Sequence, residues 1–207
     1  KKTLYGDGDS VAQGVKADYR SYIDIIAIKN AMPYTNKAVG GTTLAKQNGR
    51  SDSILERVQA MVGTYDNVLL EGGYNDLFNL LPIGTITSGF TSTLDEFTVI
   101  GATESICKFL VINYPLAKKL FVLGHRIGTD TYQEYPNQNE YWNAIASALE
   151  KWSIDYIDLR KTSGLCAYNA DWLADYFGVG ETMGVHPNLS AYTNFYVPQI
   201  EAKMKSL

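Results

Sequence analysis

Ser10 stands at the end of the first hydrophobic run, in Gly8-Asp9-Ser10, with Val11-Ala12-Gln13-Gly14 following before an apolar-periodic stretch opens. In an open α/β sheet, ligands bind beyond the carboxyl ends of the strands, where the next helix points its positive N-terminus into the crevice. A serine hydroxyl placed there becomes a nucleophile only when a base takes its proton. The chain holds two histidines, His125 and His186. His186, in Val185-His186-Pro187-Asn188 ahead of the last helix, is the candidate base. His125 ends a strand in Val122-Leu123-Gly124-His125-Arg126 with no motif around it, and reads as a hydrogen-bonded structural residue. Attack on an ester carbonyl throws negative charge onto oxygen, which needs preorganised donors. Two more clusters can supply them, Asn36-Lys37-Ala38-Val39-Gly40-Gly41-Thr42-Thr43 and Gly72-Gly73-Tyr74-Asn75-Asp76. The expected oxyanion hole is the backbone amides of Ser10 and Gly41 with the side-chain amide of Asn75, since Asn offers an N–H without a competing charge. Taken singly, each cluster is also ordinary turn chemistry. Together they supply what acyl transfer requires.

These residues must be carried by elements that bring them to one edge. Short β-rich runs alternate with longer amphipathic segments, which predicts βαβ units and a mostly parallel sheet. The expected strands are Thr3 to Tyr5, Tyr34 to Val39, Val68 to Glu71, Leu120 to Gly124 and Tyr156 to Leu159. The expected helices are Val11 to Ile28, Ile54 to Met61, Leu94 to Val111, Asn137 to Lys151 and Ser190 to Lys205. In the fourth of these, Tyr141, Trp142, Ile145, Ala148 and Leu149 recur at helical spacing and predict a buried stripe. The Gly/Thr/Ser-rich stretch Leu81 to Thr93 reads as an insertion loop near the crevice.

A length of 207 residues suits one α/β domain spanning the chain. A net charge of −4 without a basic block longer than two residues argues against a nucleic-acid partner. No apolar run is long enough to span a bilayer. Lys1-Lys2 leads straight into a strand rather than a signal-peptide core, compatible with a leader or upstream domain having been cut away. No His/Cys/Asp/Glu spacing suggests a metal, and no cofactor motif is present: Gly6-Asp7-Gly8 lacks the third glycine of a dinucleotide fingerprint, with Val11 in its place. Asp7-Gly8-Asp9-Ser10-Val11 also fits the start of a haloacid-dehalogenase-type phosphatase with Asp7 as nucleophile, but no late acidic pair follows a strand. Cys107 and Cys166 read as two buried thiols. The 15 Tyr and 3 Trp divide between core residues and exposed rings suited to flat sugar faces.

The four blocks resemble those of the SGNH/GDSL hydrolases, a family named for Ser, Gly, Asn and His. Gly8-Asp9-Ser10 with Gly14 matches the first block, Asn36 through Gly41 the second, Gly73-Tyr74-Asn75-Asp76 the third and His186-Pro187-Asn188 the last. The resemblance implies a flavodoxin-like three-layer αβα sandwich on a five-stranded parallel sheet. It further implies hydrolysis of esters, or of thioesters and amides, through an acyl-serine intermediate with Ser10 as nucleophile and His186 as base. Leu70-Glu71-Gly72-Gly73-Tyr74-Asn75-Asp76 with its Thr-rich insertion is similar to members in phage tail proteins and bacterial surface esterases. That implies an O-acetylated polysaccharide substrate and an extracellular, cell-surface or virion-associated location; lipase- and thioesterase-type members are the alternatives.

One position departs from the pattern. The family carries Asp three residues before its histidine, and here that residue is Met183. Loss of the acid in other serine hydrolases costs about 10⁴ in turnover, some 5 to 6 kcal/mol. Three readings follow: Glu181, Asp171 or Asp175 takes over; a backbone carbonyl orients the ring of a Ser-His dyad; or the site has decayed into a glycan-binding module.

Overall fold

The structure is a computed structural model that describes residues 1–128 and 137–207. Five strands, β1 (Leu4–Asp7), β2 (Tyr34–Asn36), β3 (Asn67–Glu71), β4 (Lys118–Leu123) and β5 (Asp155–Asp158), form a sheet in the order β2-β1-β3-β4-β5. Every pairing is parallel. Parallel strands need crossover helices, and these cover both faces. α2 (Tyr22–Lys29) and α10 (Val197–Ser206) pack together on one side, while α3 (Ile54–Gln59), α5 (Val99–Asn113) and α6 (Gln138–Lys151) pack on the other. The result is a three-layer α/β sandwich. The strand order reverses direction between β1 and β3, so the crevice at the carboxyl ends of these two neighbours is where an open sheet of this kind binds ligands.

All five expected strands exist with shifted ends. β2 stops at Asn36 rather than Val39, because the chain then leaves the sheet while still donating Lys37 N–H to Gly6 O and Val39 N–H to Gly8 O. The largest correction concerns the first helix, expected as one segment from Val11 to Ile28. It is two: α1 (Ser10–Gln13) and α2. Gly14 ends α1 in the left-handed region (φ +77°), where a Cβ would lie 2.7 Å from Ser21 N. Asp18 and Tyr19 are also left-handed, and Ser21 with Asp24 restarts the helix through a reciprocal capping box. The last helix, expected from Ser190 to Lys205, runs from α9 (Leu189–Ala191) through a π-helical turn at Tyr192–Tyr196 into α10. Pro198 lacks the N–H that an α-helical turn there would need, which accounts for the widened turn. α4 (Tyr74–Phe78), α7 (Leu159–Thr162) and α8 (Ala170–Tyr176) are short and carry no helical period long enough to announce them.

The α6 stripe is buried as expected, with Trp142 and Ile145 fully so. The described aromatics are split: Tyr22, Tyr74, Trp142, Tyr192 and Tyr196 are among the largest fully buried side chains, others such as Tyr65 and Trp172 pack partly buried against the core, and Tyr19, Tyr34 and Tyr168 are exposed. Tyr132 and Tyr135 lie outside the described residues. Cys107 is buried, whereas Cys166 is only partly so.

The Leu81 to Thr93 stretch begins beside the crevice but does not line it along its length. Thr87 is held by Glu104 of α5 and Lys151 at the end of α6, and Phe90 packs edge-on against Trp152. Since α6 runs antiparallel to the strands, its C-terminus lies at the opposite edge of the sheet. A buried carboxylate that must be paired, Glu104, pulls the loop down there.

Candidate active site

β1 ends in buried Asp7, whose carboxylate is fully used. It accepts from Arg57 Nη2 at 2.7 Å, Arg57 Nε at 3.0 Å, Gly8 N at 2.7 Å and Tyr5 Oη at 2.9 Å. Asp7 is therefore a structural anchor rather than an exposed nucleophile. Arg57 also donates to Gly8 O and Thr42 Oγ1, tying the segment after β1 to the segment after β2. Asp9, fully buried, caps α1 by accepting from Val11 N at 2.9 Å. Ser10 thus begins α1 at the crevice, half-buried, with its backbone N–H unpaired among the described residues.

Around Ser10 the other blocks converge. Val39 N donates to Gly8 O, and Gly40 N donates to Gln13 Oε1 at 2.9 Å, which brings Gly41 alongside. Gly41 is exposed, and its N–H has no partner among the described residues. Asn36 fastens the same stretch, donating to Ala12 O and Asp24 Oδ2. From the start of α4, the Asn75 amide donates to Thr42 O at 3.0 Å and to Asp9 Oδ2 at 3.3 Å. Asp76 turns inward, accepting Leu44 N and Ala45 N at 2.8 and 3.0 Å, and so holds the β2 loop to α4.

His186 arrives on a loop between α8 and α9. Its Nε2 lies 2.9 Å from Ser10 Oγ, and its Nδ1 lies 2.6 Å from Glu181 Oε1. The second carboxylate oxygen of Glu181 accepts Val185 N at 3.0 Å and His186 N at 3.4 Å. Burial alone would raise the Glu181 pKa. The His186 hydrogen bond and charge, with the two backbone donors, outweigh it and hold the group below the usual carboxylate range. Asp171 and Asp175 do not reach the ring. Asp171 is exposed in the first turn of α8, and Asp175 is exposed and meets the loop only through its backbone carbonyl, which accepts from Asn188. Met183 is partly buried and packs against the core.

One buried group carries no motif in the sequence. Glu71 ends β3, and neither of its oxygens meets an N–H or O–H donor among the described residues. Burial, reinforced by the charge of neighbouring Asp9, pushes Glu71 well above the usual carboxylate range. The only sequence signal was an acid closing an otherwise apolar strand. His125 is fully buried and hydrogen-bonded, as expected from its position, but its partner Gly184 lies on the His186 loop. Among the described residues no group of three or more His, Cys, Asp or Glu side chains is placed to hold a metal ion.

The arrangement is a hydroxyl, an imidazole and a carboxylate in series, and the Ser10 and Gly41 backbone N–H groups are unpaired among the described residues. The model of the GDSL-like lipase/acylhydrolase family matches residues 8–193, from the glycine before Ser10 past His186. The chain belongs to this family. No curated protein sequence matches significantly. Among solved structures, a protein from Lactobacillus plantarum is similar at 23% identity, with a TM-score of 0.83 over 99% of this chain and 97% of that one. A candidate GDSL-like lipase from Bacteroides ovatus is similar at 14% identity and a TM-score of 0.70, with both chains fully covered. A family two carbohydrate esterase from Clostridium thermocellum is similar at 15% identity and a TM-score of 0.62, covering all of this chain and 64% of that one. At these identities the likeness is one of fold. Family membership implies a hydrolase with an ester substrate, and no helix among the described residues is long and apolar enough to cross a membrane.

Proposed function

We propose that this GDSL-family chain is a serine esterase in which Ser10, His186 and Glu181 form the catalytic triad. The observation that carries the reading is the unbroken line from Ser10 Oγ to His186 Nε2 at 2.9 Å and from Nδ1 to Glu181 at 2.6 Å. Because the Glu181 carboxylate can only accept, Nδ1 carries the proton and Nε2 presents its lone pair to Ser10. Ser10 Oγ attacks the acyl carbonyl carbon while its proton passes to Nε2, and Glu181 stabilises the imidazolium that forms. The new oxyanion takes hydrogen bonds from the Ser10 and Gly41 N–H groups and from the Asn75 amide, whose longer contact, to Asp9, is the weaker one to exchange. Collapse expels the alcohol, which takes the proton from Nε2. Water then attacks the acyl-serine with His186 again as base, releasing the acid and restoring Ser10.

The proposed substrate is an O-acetylated carbohydrate. The likeness to a carbohydrate esterase supports this, as does the setting. Ser10 and His186 are both partly open to solvent, and an open hollow of about 580 Å³ beside the His186 loop, which neither of them lines, has a mixed wall of Lys16, Asp18, Asn188 and Thr193 with Ala17 and Leu189. Such a setting suits a short acyl group on a polar alcohol better than a long chain. An extracellular or surface location accompanies that substrate. The glycan-binding alternative rests on the missing acid at position 183, and the contact of Glu181 with His186 favours the esterase over it.

Incubation with p-nitrophenyl acetate, acetylated polysaccharides and a serine-directed phosphonate tests the reading. Turnover and a covalent adduct on Ser10, both absent in Ser10→Ala, are expected. A wild-type chain with neither turnover nor adduct would be a binding module, and hydrolysis that persists in Ser10→Ala would remove the nucleophile assignment.

A further inference from the structure

The loop that carries Glu181 and His186 has little regular structure of its own. An isolated antiparallel bridge between Phe177 and Pro187 closes its neck. Within the loop, Gly178 N donates to His186 O and Glu181 N donates to Gly178 O. Those bonds shape the loop without fixing it to the sheet. Two attachments lie between the acid and the base, both from the segment that follows β4, one half-buried and the other, from His125, fully buried. Gly128 N donates to Met183 O at 3.0 Å, and the His125 ring meets Gly184 O through Nε2 at 2.6 Å.

The proton positions around His125 follow from its partners. A carbonyl oxygen can only accept, so Nε2 carries the hydrogen. Nδ1 is then a bare acceptor, and Tyr196 Oη, 2.6 Å away, donates to it. Tyr74 Oη donates to the His125 backbone oxygen at 2.6 Å, and Gln138 Nε2 donates there at 2.9 Å. Tyr74 adjoins Asn75. One buried residue thus links the strand end, the α4 turn bearing the oxyanion-hole amide, and the loop bearing the acid and base. Gly184 is left-handed (φ +61°) with Ala167 Cβ only 2.5 Å from where its own Cβ would be, so the loop passes against Ala167 too closely for any side chain at this position.

We propose that His125 is a positioning residue for the acid–base loop, and that its Nε2–H, donated to Gly184 O, sets the reach of His186 to Ser10 and of Glu181 to His186. This rests on the triad reading above. The titratable groups around the His125 ring are Tyr74 and Tyr196 on the core side, with His186 and Glu181 on the loop. Burial pushes the His125 pKa down to about 4, with the His186 charge adding to the effect, so the ring stays neutral and its donor stays in place across the pH range in which a serine esterase works.

Asparagine and glutamine separate the two ends of the ring. His125→Gln keeps an N–H near the Nε2 position, whereas His125→Asn keeps polarity near Nδ1 and loses the donor to Gly184. With p-nitrophenyl acetate, His125→Asn is expected to lower kcat by about 10- to 100-fold per folded molecule, the scale of an ångström-level misplacement, with KM nearly constant. The acid limb of its kcat/KM profile should move, and His125→Gln should recover most of the rate and the wild-type limb. Wild-type kcat and pH profile in folded His125→Asn would overturn the proposal, as would equal loss in the two variants. If the variants do not fold, nitrogen-15 NMR of the wild-type chain still decides. A protected Nε2–H tautomer at His125 is expected, and an Nδ1–H tautomer refutes the proposal. That measurement needs no catalysis, so it is separable from the Ser10→Ala result that would sink the esterase reading.

Discussion

Glu181→Gln is the sharpest perturbation of the site, because it keeps the shape of the side chain and removes the charge. The carboxylate uses one oxygen for His186 Nδ1 at 2.6 Å and the other for Val185 N at 3.0 Å and His186 N at 3.4 Å. Glutamine has a single acceptor oxygen. If that oxygen stays on the ring, the amide NH₂ is pressed against two backbone N–H groups. If it turns to satisfy them, the NH₂ faces Nδ1, which must then lose its hydrogen, and Nε2 presents a proton instead of a lone pair to Ser10. The backbone donors outnumber the ring, so the second, inactive tautomer is favoured. Charge loss acts as well. At an effective dielectric near 20, two unit charges about 4 Å apart attract by about 4 kcal/mol, which corresponds to about 10³ in rate. The side chains of His186 and Glu181 are 26% and 11% exposed, so solvent screening takes part of that. The wrong tautomer works in the other direction, and a triad Asp→Asn in another serine hydrolase costs about 10⁴. The expected outcome is a fall in kcat of about 10³ with KM changed little. Initial rates with p-nitrophenyl acetate, alongside thermal unfolding to verify the fold, measure it. Asp171→Asn and Asp175→Asn should remain within about twofold of wild type, since both residues are exposed and neither carboxylate reaches the ring. A Glu181→Gln rate within about tenfold of wild type would refute the reasoning, whatever the other variants do.

Asn75→Ala should lower kcat by about 10² to 10³ while leaving KM nearly constant, as loss of one oxyanion donor does; a pure KM effect in steady-state kinetics would assign Asn75 to substrate binding. Burial pushes Asp76 up to about 7, although Leu44 N and Ala45 N donate to it. From pH of about 4 to 7 the folded state therefore keeps a proton that the unfolded chain has released, and this contribution to stability falls as pH rises. Denaturant melts of wild type and Asp76→Asn should show that slope in the difference between them, and a difference independent of pH across the window would contradict it. Lys151→Met strands the buried Glu104 carboxylate and should cost about 3 to 5 kcal/mol by denaturant unfolding. The kcat of the folded fraction should be unchanged, because the Thr87 attachment lies at the far edge of the sheet; a comparable loss of kcat would return that loop to the crevice.

The helix expected from Val11 to Ile28 shows where sequence reading fails. Its apolar period runs through Ala17, but Gly14, Asp18 and Tyr19 are left-handed and break it, and only Gly14 hints at that from its residue type. Leu81 to Thr93 fails for another reason. Composition marks it as a loop, while its course is decided by Glu104 and Lys151, which meet only when α5 and α6 pack.

By itself the sequence determined the alternation of strands and helices, the parallel sheet, and the identity of Ser10, Gly41, Asn75 and His186 as the groups to be brought together. Those are local facts: a periodicity within an element, or a residue type beside a strand end. It also showed that the acid was absent from position 183 and left open a substitute among Glu181, Asp171 and Asp175, a dyad oriented by a backbone carbonyl, or a decayed site. Only the tertiary structure shows which of these carboxylates meets the His186 ring. A hydrogen bond to imidazole depends on the path of the backbone between residues 176 and 188, and that path is held by Gly128 and His125 in the segment that follows β4, with His125 oriented by Tyr196 from the last helical segment. Glu181 reaches His186 because distant residues hold their loop in one shape, and no spacing rule along the chain encodes that.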